Sequence, residues 1–282
     1  MPELPEVEIT ARRLSAALEG AQVESAVAPG MVAMKTFEPP LDALEGRTVT
    51  GVRRIGKMPV VEFSGGLALL VHLMSAGRLQ LFEKPASARD RASRVLIRLA
   101  DGRELRLREF GSRQRAWAKL LGVGVVEEDE MVATLGPEAW PAPPLEQFAA
   151  LIDQPRHLHP LLRDQRAIAG IGRSWVDEIL WEARLSPFRQ GSELLDTEVE
   201  SLHRGLGVLG RALEHYEEVI EETVPDKLPM PLQVHRREGE PCPRCGTTIA
   251  AVYFKEHQAN YCPEEQTGGR VLKDRRLSKL LK

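Results

Sequence analysis

The three cysteines of the chain all lie between positions 242 and 262. Cys242-Pro243-Arg244-Cys245-Gly246 has the form of a zinc knuckle. Two thiolates two residues apart bind one metal ion, and the glycine permits a tight turn. Sixteen residues intervene before Cys262, where a second such pair would begin, but position 265 holds Glu265 instead of cysteine. A carboxylate can ligate zinc, so Glu265 is the expected fourth ligand and His257 the other candidate. The alternative is a ribbon that keeps its fold without metal. Three crowded cysteines make a poor disulfide framework and point to a reducing, cytoplasmic setting.

The second candidate for chemistry is the extreme N-terminus, Met1-Pro2-Glu3-Leu4-Pro5-Glu6-Val7-Glu8. Removal of Met1 would expose Pro2 as a secondary amine with a pKa near ~8, partly unprotonated and nucleophilic at neutral pH. Such an amine can attack a sugar C1′ and form an iminium. Glu3 would then be a carboxylate beside the nucleophile, able to shuttle protons. The same octapeptide also reads as an ordinary helix start, with prolines opening the first turn and glutamates facing its dipole. The third candidate is Gly170-Ile171-Gly172-Arg173 ahead of a helix, where exposed amides suit a phosphate.

These residues need elements to hold them. Val7, Ala11, Leu14 and Leu18 recur at helical spacing, with Gly20 as the stop. From about Val23 to Leu121 the pattern is that of strands. Val95, Ile97 and Leu99 alternate with polar residues, Asp101-Gly102 makes a hairpin turn, and Leu105 and Leu107 resume the alternation. The nearly continuous apolar run Leu67–Leu73 suits a strand buried on both faces. Gly136 to Pro144 contains four prolines and suggests a linker. Beyond it come helices, with Val176, Ile179, Leu180 and Ala183 on one face and one amphipathic helix from about Asp196 to Glu222. Pro225, Pro229 and Pro231 mark a further linker before the cysteines. No run approaches the ~18 apolar residues of a membrane span.

The net charge of −3 argues against a nucleic-acid partner, but its distribution is uneven. Gly191 to Asp226 carries ten acidic residues and two arginines, whereas Gly268 to Lys282 carries six basic residues and one acidic. An acidic stretch can hide a basic binding face in the total.

In order and spacing, several segments together resemble the formamidopyrimidine-DNA glycosylase and endonuclease VIII family. They are Pro2 to Glu8, Gly56-Lys57, His72-Leu73 with Gly77-Arg78-Leu79, Arg108-Glu109-Phe110-Gly111, and Leu135-Gly136-Pro137-Glu138. They continue with Asp164-Gln165 through Gly172, Asp177-Glu178, Leu232-Gln233-Val234 and Gly239 to Cys242. The resemblance implies an α+β fold: an N-terminal β-sandwich with one helix (1–130), a helix–two-turns–helix module (131–228) and a C-terminal zinc-finger hairpin with a basic tail (229–282). It places DNA in the cleft between.

Carried over by position, the resemblance implies Pro2 as the Schiff-base nucleophile, Glu3 as general acid/base, Glu6 as a second active-site carboxylate and Lys57 near the lesion phosphate. It implies Arg108 facing the orphaned base and Phe110 wedged into the stack, supporting base flipping. Some positions depart from the family. Met74 stands one position earlier than the void-filling methionine after His72, His159 replaces a lysine, Arg173 replaces an asparagine after Gly172, and His257 replaces a phosphate-gripping arginine. All are expected to contact DNA.

The expected activity is that of a monomeric, zinc-containing base-excision repair enzyme on double-stranded DNA bearing a damaged base or abasic site. It would be a DNA glycosylase and abasic-site lyase, with β and δ elimination. A non-catalytic binder of damaged DNA is the rival.

Overall fold

The computed structural model describes residues 2–30, 32–87, 90–110, 114–222, 224–254 and 257–273, with backbone alone at Phe254 and His257. The basic tail beyond Lys273 lies outside the described residues. The chain divides into two compact units, Met1–Thr134 with Leu213–Pro229, and Leu135–Ala212 with Met230–Lys282.

The first unit opens with helix α1 (Leu4–Leu18). Pro5 sits in its first turn, where a missing N–H leaves no helical bond unmade. Val7, Ala11, Leu14 and Leu18 are all buried, and Gly20 follows the helix at φ +84°. Eight strands follow: β1 (Val23–Val27), β2 (Val49–Ile55), β3 (Met58–Phe63), β4 (Leu67–His72), β5 (Gly77–Phe82), β6 (Ser93–Leu99), β7 (Glu104–Glu109) and β8 (Trp117–Gly122). They form two four-stranded sheets, β1-β6-β7-β5 and β2-β3-β4-β8. This is the expected β-sandwich with one helix.

The apolar run in β4 has its reason in this topology. β4 lies inside its sheet between β3 and β8, and Ala68 to Val71 are buried in succession. In β6 and β7 the alternation holds, with Val95, Ile97, Leu99, Leu105 and Leu107 all joining the core. Each such side chain contributes roughly 1.5–3 kcal/mol on burial. Between them Gly102 adopts φ +90°, and Asp101 Oδ1 accepts the Arg103 N–H at 3.0 Å. The short helix α2 (Glu130–Ala133) ends this part of the unit, capped by Asp129.

The second unit contains α3 (Leu145–Ile152), α4 (Leu158–Leu162), α5 (Arg173–Glu182), α6 (Asp196–Gly205) and α7 (Gly207–Val219), the last turns of α7 from Leu213 onward being grouped with the first unit. The proline-rich stretch 136–144 is not a free linker. Ala139 is fully buried, and the Ala139 and Ala169 amides bond to the Ala169 and Pro137 carbonyls at 2.9 and 2.8 Å. The single helix expected from Asp196 to Glu222 is two, interrupted at Leu206. Gly205 and Gly207 flank the break, and each costs a helix interior about 1 kcal/mol. Gly205 also lies so close to α5 that a Cβ there would meet the Ile179 carbonyl at 2.9 Å. The hairpin β9 (Ala250–Phe254) and β10 (His257–Tyr261), then α8 (Pro263–Thr267), complete this unit. No helix among the described residues is long and apolar enough to cross a membrane.

Candidate active site

In the first unit, the N-terminal residues are folded in. Pro2 is buried, and Glu3 and Glu6 are only 1% and 3% exposed. Burying carboxylates is costly unless they are bonded. Glu6 reaches back so that its Oε2 accepts the Glu3 N–H at 2.9 Å, while its Oε1 accepts the Tyr216 O–H at 2.7 Å. The Tyr216 phenol is pushed far above its usual range, first by burial and then by the charges of Glu6 and Glu3. Tyr216 thus remains a fixed donor beside both carboxylates.

Lys57 lies in the two-residue turn between β2 and β3, where Ile55 pairs with Met58 and Gly56 takes φ +57°. A turn this tight requires positive φ, which glycine supplies without strain. Arg54 ties the turn to α1: its guanidinium donates to the Gly56 carbonyl at 3.1 Å and meets Glu8 at 2.9 Å. His72, at the end of β4, stacks on Trp117 with centroids 5.1 Å apart, and its Nδ1 accepts the Met74 N–H at 3.1 Å. Burial, and secondarily the nearby Lys57 charge, lower the His72 pKa, which keeps the ring neutral and able to accept. Met74 has φ +49° in the turn that His72 anchors.

Arg108, on β7, lies under Phe110 with its guanidinium 4.7 Å from the ring centroid, and Phe110 itself is 37% exposed. The guanidinium is flanked by Asp226 at 3.6 Å and Asp90 at 4.0 Å. Asp226 is also bound from β5, by Arg78 Nε to its carbonyl at 3.0 Å and by Gln80 Nε2 to its carboxylate at 2.9 Å. Burial lowers the Arg78 pKa, while Asp226 and Glu6 raise it, so this guanidinium stands in the field of the Glu6 carboxylate. Tyr216 and Asp226 were not singled out by sequence, and Arg78 entered only within the Gly77-Arg78-Leu79 segment, with no role assigned. Tyr216 falls on the buried α7 face with Leu209, Ala212 and Leu213 and looks like a core aromatic.

In the second unit, Gln165 latches the glycine turn before α5, accepting the Gly170 N–H at 3.0 Å and donating to the Ile171 carbonyl at 2.9 Å. Gly172 caps α5 and Arg173 is exposed at its first turn. His159 is placed differently from the expected DNA contact. It is 0% exposed, and its Nε2 lies 3.3 Å from Asp177 Oδ1. The other oxygen of Asp177 is approached by His235 Nδ1 at 2.7 Å and accepts from the Asn260 N–H and Nδ2 at 3.1 and 2.9 Å. Burial alone would raise the Asp177 carboxyl, but His159 and His235 hold it below its ordinary value. His159 therefore works inside the unit, because a fully enclosed ring offers no surface to a phosphate.

The thiols of Cys242, Cys245 and Cys262 gather within 4.8 Å, with Cys245 and Cys262 sulfurs 3.4 Å apart. A Zn–S bond of about 2.3 Å in tetrahedral geometry sets sulfurs about 3.8 Å apart, so the three fit one zinc ion. Burial, and the shared hydrogen bonds of neighbouring thiols, push the Cys262 thiol up to about 12 without metal. Glu265 does not join them. Its Oε2 is held between Arg184 at 3.1 Å and Arg244 at 3.3 Å, and Arg244 in turn stacks on Trp181. His257 opens β10, roughly 16 Å along the strand from Cys262 at ~3.3 Å per residue. Its side chain lies outside the described residues.

Three family models match in order: the formamidopyrimidine-DNA glycosylase N-terminal domain over residues 1–113, its H2TH domain over 135–223, and the zinc finger found in FPG and IleRS over 239–264. Formamidopyrimidine-DNA glycosylase of Roseiflexus sp. is 33% identical over 94% of this chain and 100% of its own length. That of Thermus thermophilus is 34% identical over 95% and 100%. The chain belongs to the formamidopyrimidine-DNA glycosylase family.

Among solved structures, the Lactococcus lactis Fpg bound to abasic-site DNA superposes with a TM-score of 0.84 at 25% identity, covering 94% of this chain and 99% of that one. The same enzyme with DNA carrying an N7-benzyl-Fapy-dG gives 0.84 at 26%, covering 94% and 100%. The chain is thus a DNA glycosylase of a family whose members characteristically also cleave abasic sites. The zinc-finger match and the three-thiol cluster both support zinc binding.

Proposed function

We propose that this glycosylase excises oxidised bases and cleaves abasic sites through the amino group of Pro2. The observation that carries this reading is the burial of Glu3 and Glu6 beside the proline, with Glu6 bonded to the amide that follows it. With Met1 removed, the Pro2 nitrogen attacks C1′ and the N-glycosidic bond breaks. The base takes a proton as it leaves, and Glu3 is the group suited to shuttle protons to the base or ring oxygen. The proline nitrogen then releases its proton, the C1′–O4′ bond breaks with O4′ taking a proton, and the resulting iminium acidifies the C2′ protons. Loss of one expels the 3′ phosphate by β elimination, and a further elimination releases the 5′ phosphate. Lys57 supplies a cation for the lesion phosphate.

His72, Met74, Arg108, Phe110, Gly172, Arg173 and His257 are the proposed DNA contacts. Arg108 and Phe110 act as the wedge, and the α5 N-terminus with Arg173 as a phosphate grip. Borohydride reduction in the presence of abasic DNA tests the chemistry directly, because it converts the iminium to a stable adduct. Tight binding with no adduct would favour a non-catalytic binder.

The lesion preference follows from the segment after α7. Its Val224 and Asp226 carbonyls are bound by Gln80 and Arg78 of β5, and its prolines remove amide donors. A segment held this way is poorly suited to enclose 8-oxoguanine, whose recognition over guanine depends on well-placed polar partners. An abasic site needs only access of C1′ to Pro2. Single-turnover rates on matched duplexes are expected to rank abasic cleavage first, oxidised pyrimidines and ring-opened purines next, and 8-oxoguanine last. Equal rates for 8-oxoguanine and the abasic site would contradict this ranking.

Zinc in this reading is one ion held by Cys242, Cys245 and Cys262, joining the two ends of the finger. The Glu265 carboxylate is engaged by two guanidinium groups, so the three thiolates would carry the binding of the ion. Elemental analysis of Glu265→Gln is expected to give about one zinc per chain, as in the unmodified protein, and Cys245→Ser is expected to lose it. Loss of zinc from Glu265→Gln would restore the carboxylate as a ligand.

A further inference from the structure

We infer that Tyr216 is a positioning residue for the Pro2 nucleophile, acting through Glu6. This rests on the reading of Pro2 as nucleophile given above. Its hydroxyl is the far end of a three-part chain: the Tyr216 O–H donates to Glu6 Oε1, and Glu6 Oε2 accepts the N–H of Glu3, the residue joined to Pro2. Each link is short, at 2.7 and 2.9 Å, and every group in it is buried.

The geometry assigns each part a task. The Glu3 N–H belongs to the peptide bond with Pro2, so fixing this amide fixes the plane from which the pyrrolidine ring projects. Glu6 can fix it only while it is ionised and aimed at the amide. A buried carboxylate accepting two donors is stabilised in its charged form, and a neutral partner that never ionises is a dependable donor. Tyr216 is such a partner, because burial and both carboxylates oppose loss of its proton. It touches no reacting atom in this scheme and moves no proton. It holds the carboxylate that holds the nucleophile.

The chain also explains why a hydroxyl stands on an apolar helix face. Leu209, Ala212 and Leu213 share the buried side of α7, and packing alone would be served by phenylalanine. A buried hydroxyl is retained at a cost unless bonded, and its bond here goes to the active-site carboxylate.

The test is single-turnover borohydride trapping on abasic duplex DNA, measured across pH for the unmodified protein, Tyr216→Phe, Glu6→Gln and the double variant. Tyr216→Phe keeps the ring and removes the donor. It is expected to slow trapping about ten- to a hundredfold, with DNA affinity essentially unchanged and the melting temperature lowered by only a few degrees, because Glu6 keeps its bond to the Glu3 amide. The acid limb of its pH profile is expected to move to higher pH, because Glu6 loses a bond that favours its charge. On the Glu6→Gln background, Tyr216→Phe is expected to cost little further.

Trapping by Tyr216→Phe at the unmodified rate, with an unmoved pH profile, overturns the proposal. So does full additivity of the two substitutions. Should Tyr216→Phe fail to fold, 3-fluorotyrosine at position 216 provides the second test. Its more acidic phenol strengthens the bond to Glu6, so the acid limb is expected to move to lower pH, and a static limb overturns the proposal. If the unmodified protein itself forms no adduct, the Pro2 reading fails first, which separates the two failures.

Discussion

Protein carrying any residue ahead of Pro2 is expected to bind abasic DNA normally and to form no borohydride-trapped adduct. An added residue turns the secondary amine into a tertiary amide whose lone pair is delocalised into the carbonyl. Neither nucleophilic attack nor iminium formation is then possible, and the covalent path closes completely. The proposed phosphate and wedge contacts do not involve this nitrogen, so affinity should persist. The measurement pairs a verified N-terminally extended protein with protein from which the extension has been cleaved to leave Pro2 first. Normal trapping and strand cleavage by the extended form would remove Pro2 from the mechanism.

Replacing Asp177 by Ala is expected to cost about 3–5 kcal/mol, the usual consequence of breaking a buried charged network by removing one partner. Asp177 is 1% exposed and connects His159 of α4, His235 ahead of the finger, and Asn260 of β10. Without it, two imidazoles and an amide are left facing a void. For a unit of this size the loss corresponds to a drop of roughly 10 °C in melting temperature.

The pH dependence has a definite sign. The folded Asp177 pKa is depressed, so its contribution is fully present above the ordinary carboxylate value of ~3.9 and is lost as pH falls through the folded value. The gap in melting temperature between the two proteins should close as the pH falls below about 4. Calorimetry that finds the variant melting with the unmodified protein at pH 7 would show that the network contributes nothing net.

Much of the fold was legible because periodicity and turn chemistry act locally. The alternation of Val95, Ile97 and Leu99, the Asp101-Gly102 turn and the unbroken run in β4 each encode burial through side-chain spacing alone. The break between α6 and α7 was not legible, because the pattern of buried residues continues across it. Gly205 and Gly207 flank the break, and the close approach of Gly205 to the Ile179 carbonyl is a contact between residues distant in sequence. The prolines of 136–144 suggested a linker for the same reason: composition records stiffness and missing donors, but not the bonds that Pro137 and Ala139 make with Ala169.

The candidate site divides along the same line. The residue types carry the chemistry that is visible without a fold: a proline at position 2, carboxylates at Glu3 and Glu6, and three thiols with knuckle spacing. These are properties of residue type and short separation, and no fold is needed to see them. Which of these groups meet depends on packing between distant segments. It turned Glu265 towards Arg184 and Arg244, enclosed His159 against Asp177, and brought Tyr216 to Glu6 across 210 positions of chain. Burial selects these pairings. A charged or polar side chain removed from water must find its partner wherever packing leaves one, and that place is set by the folding of the whole unit.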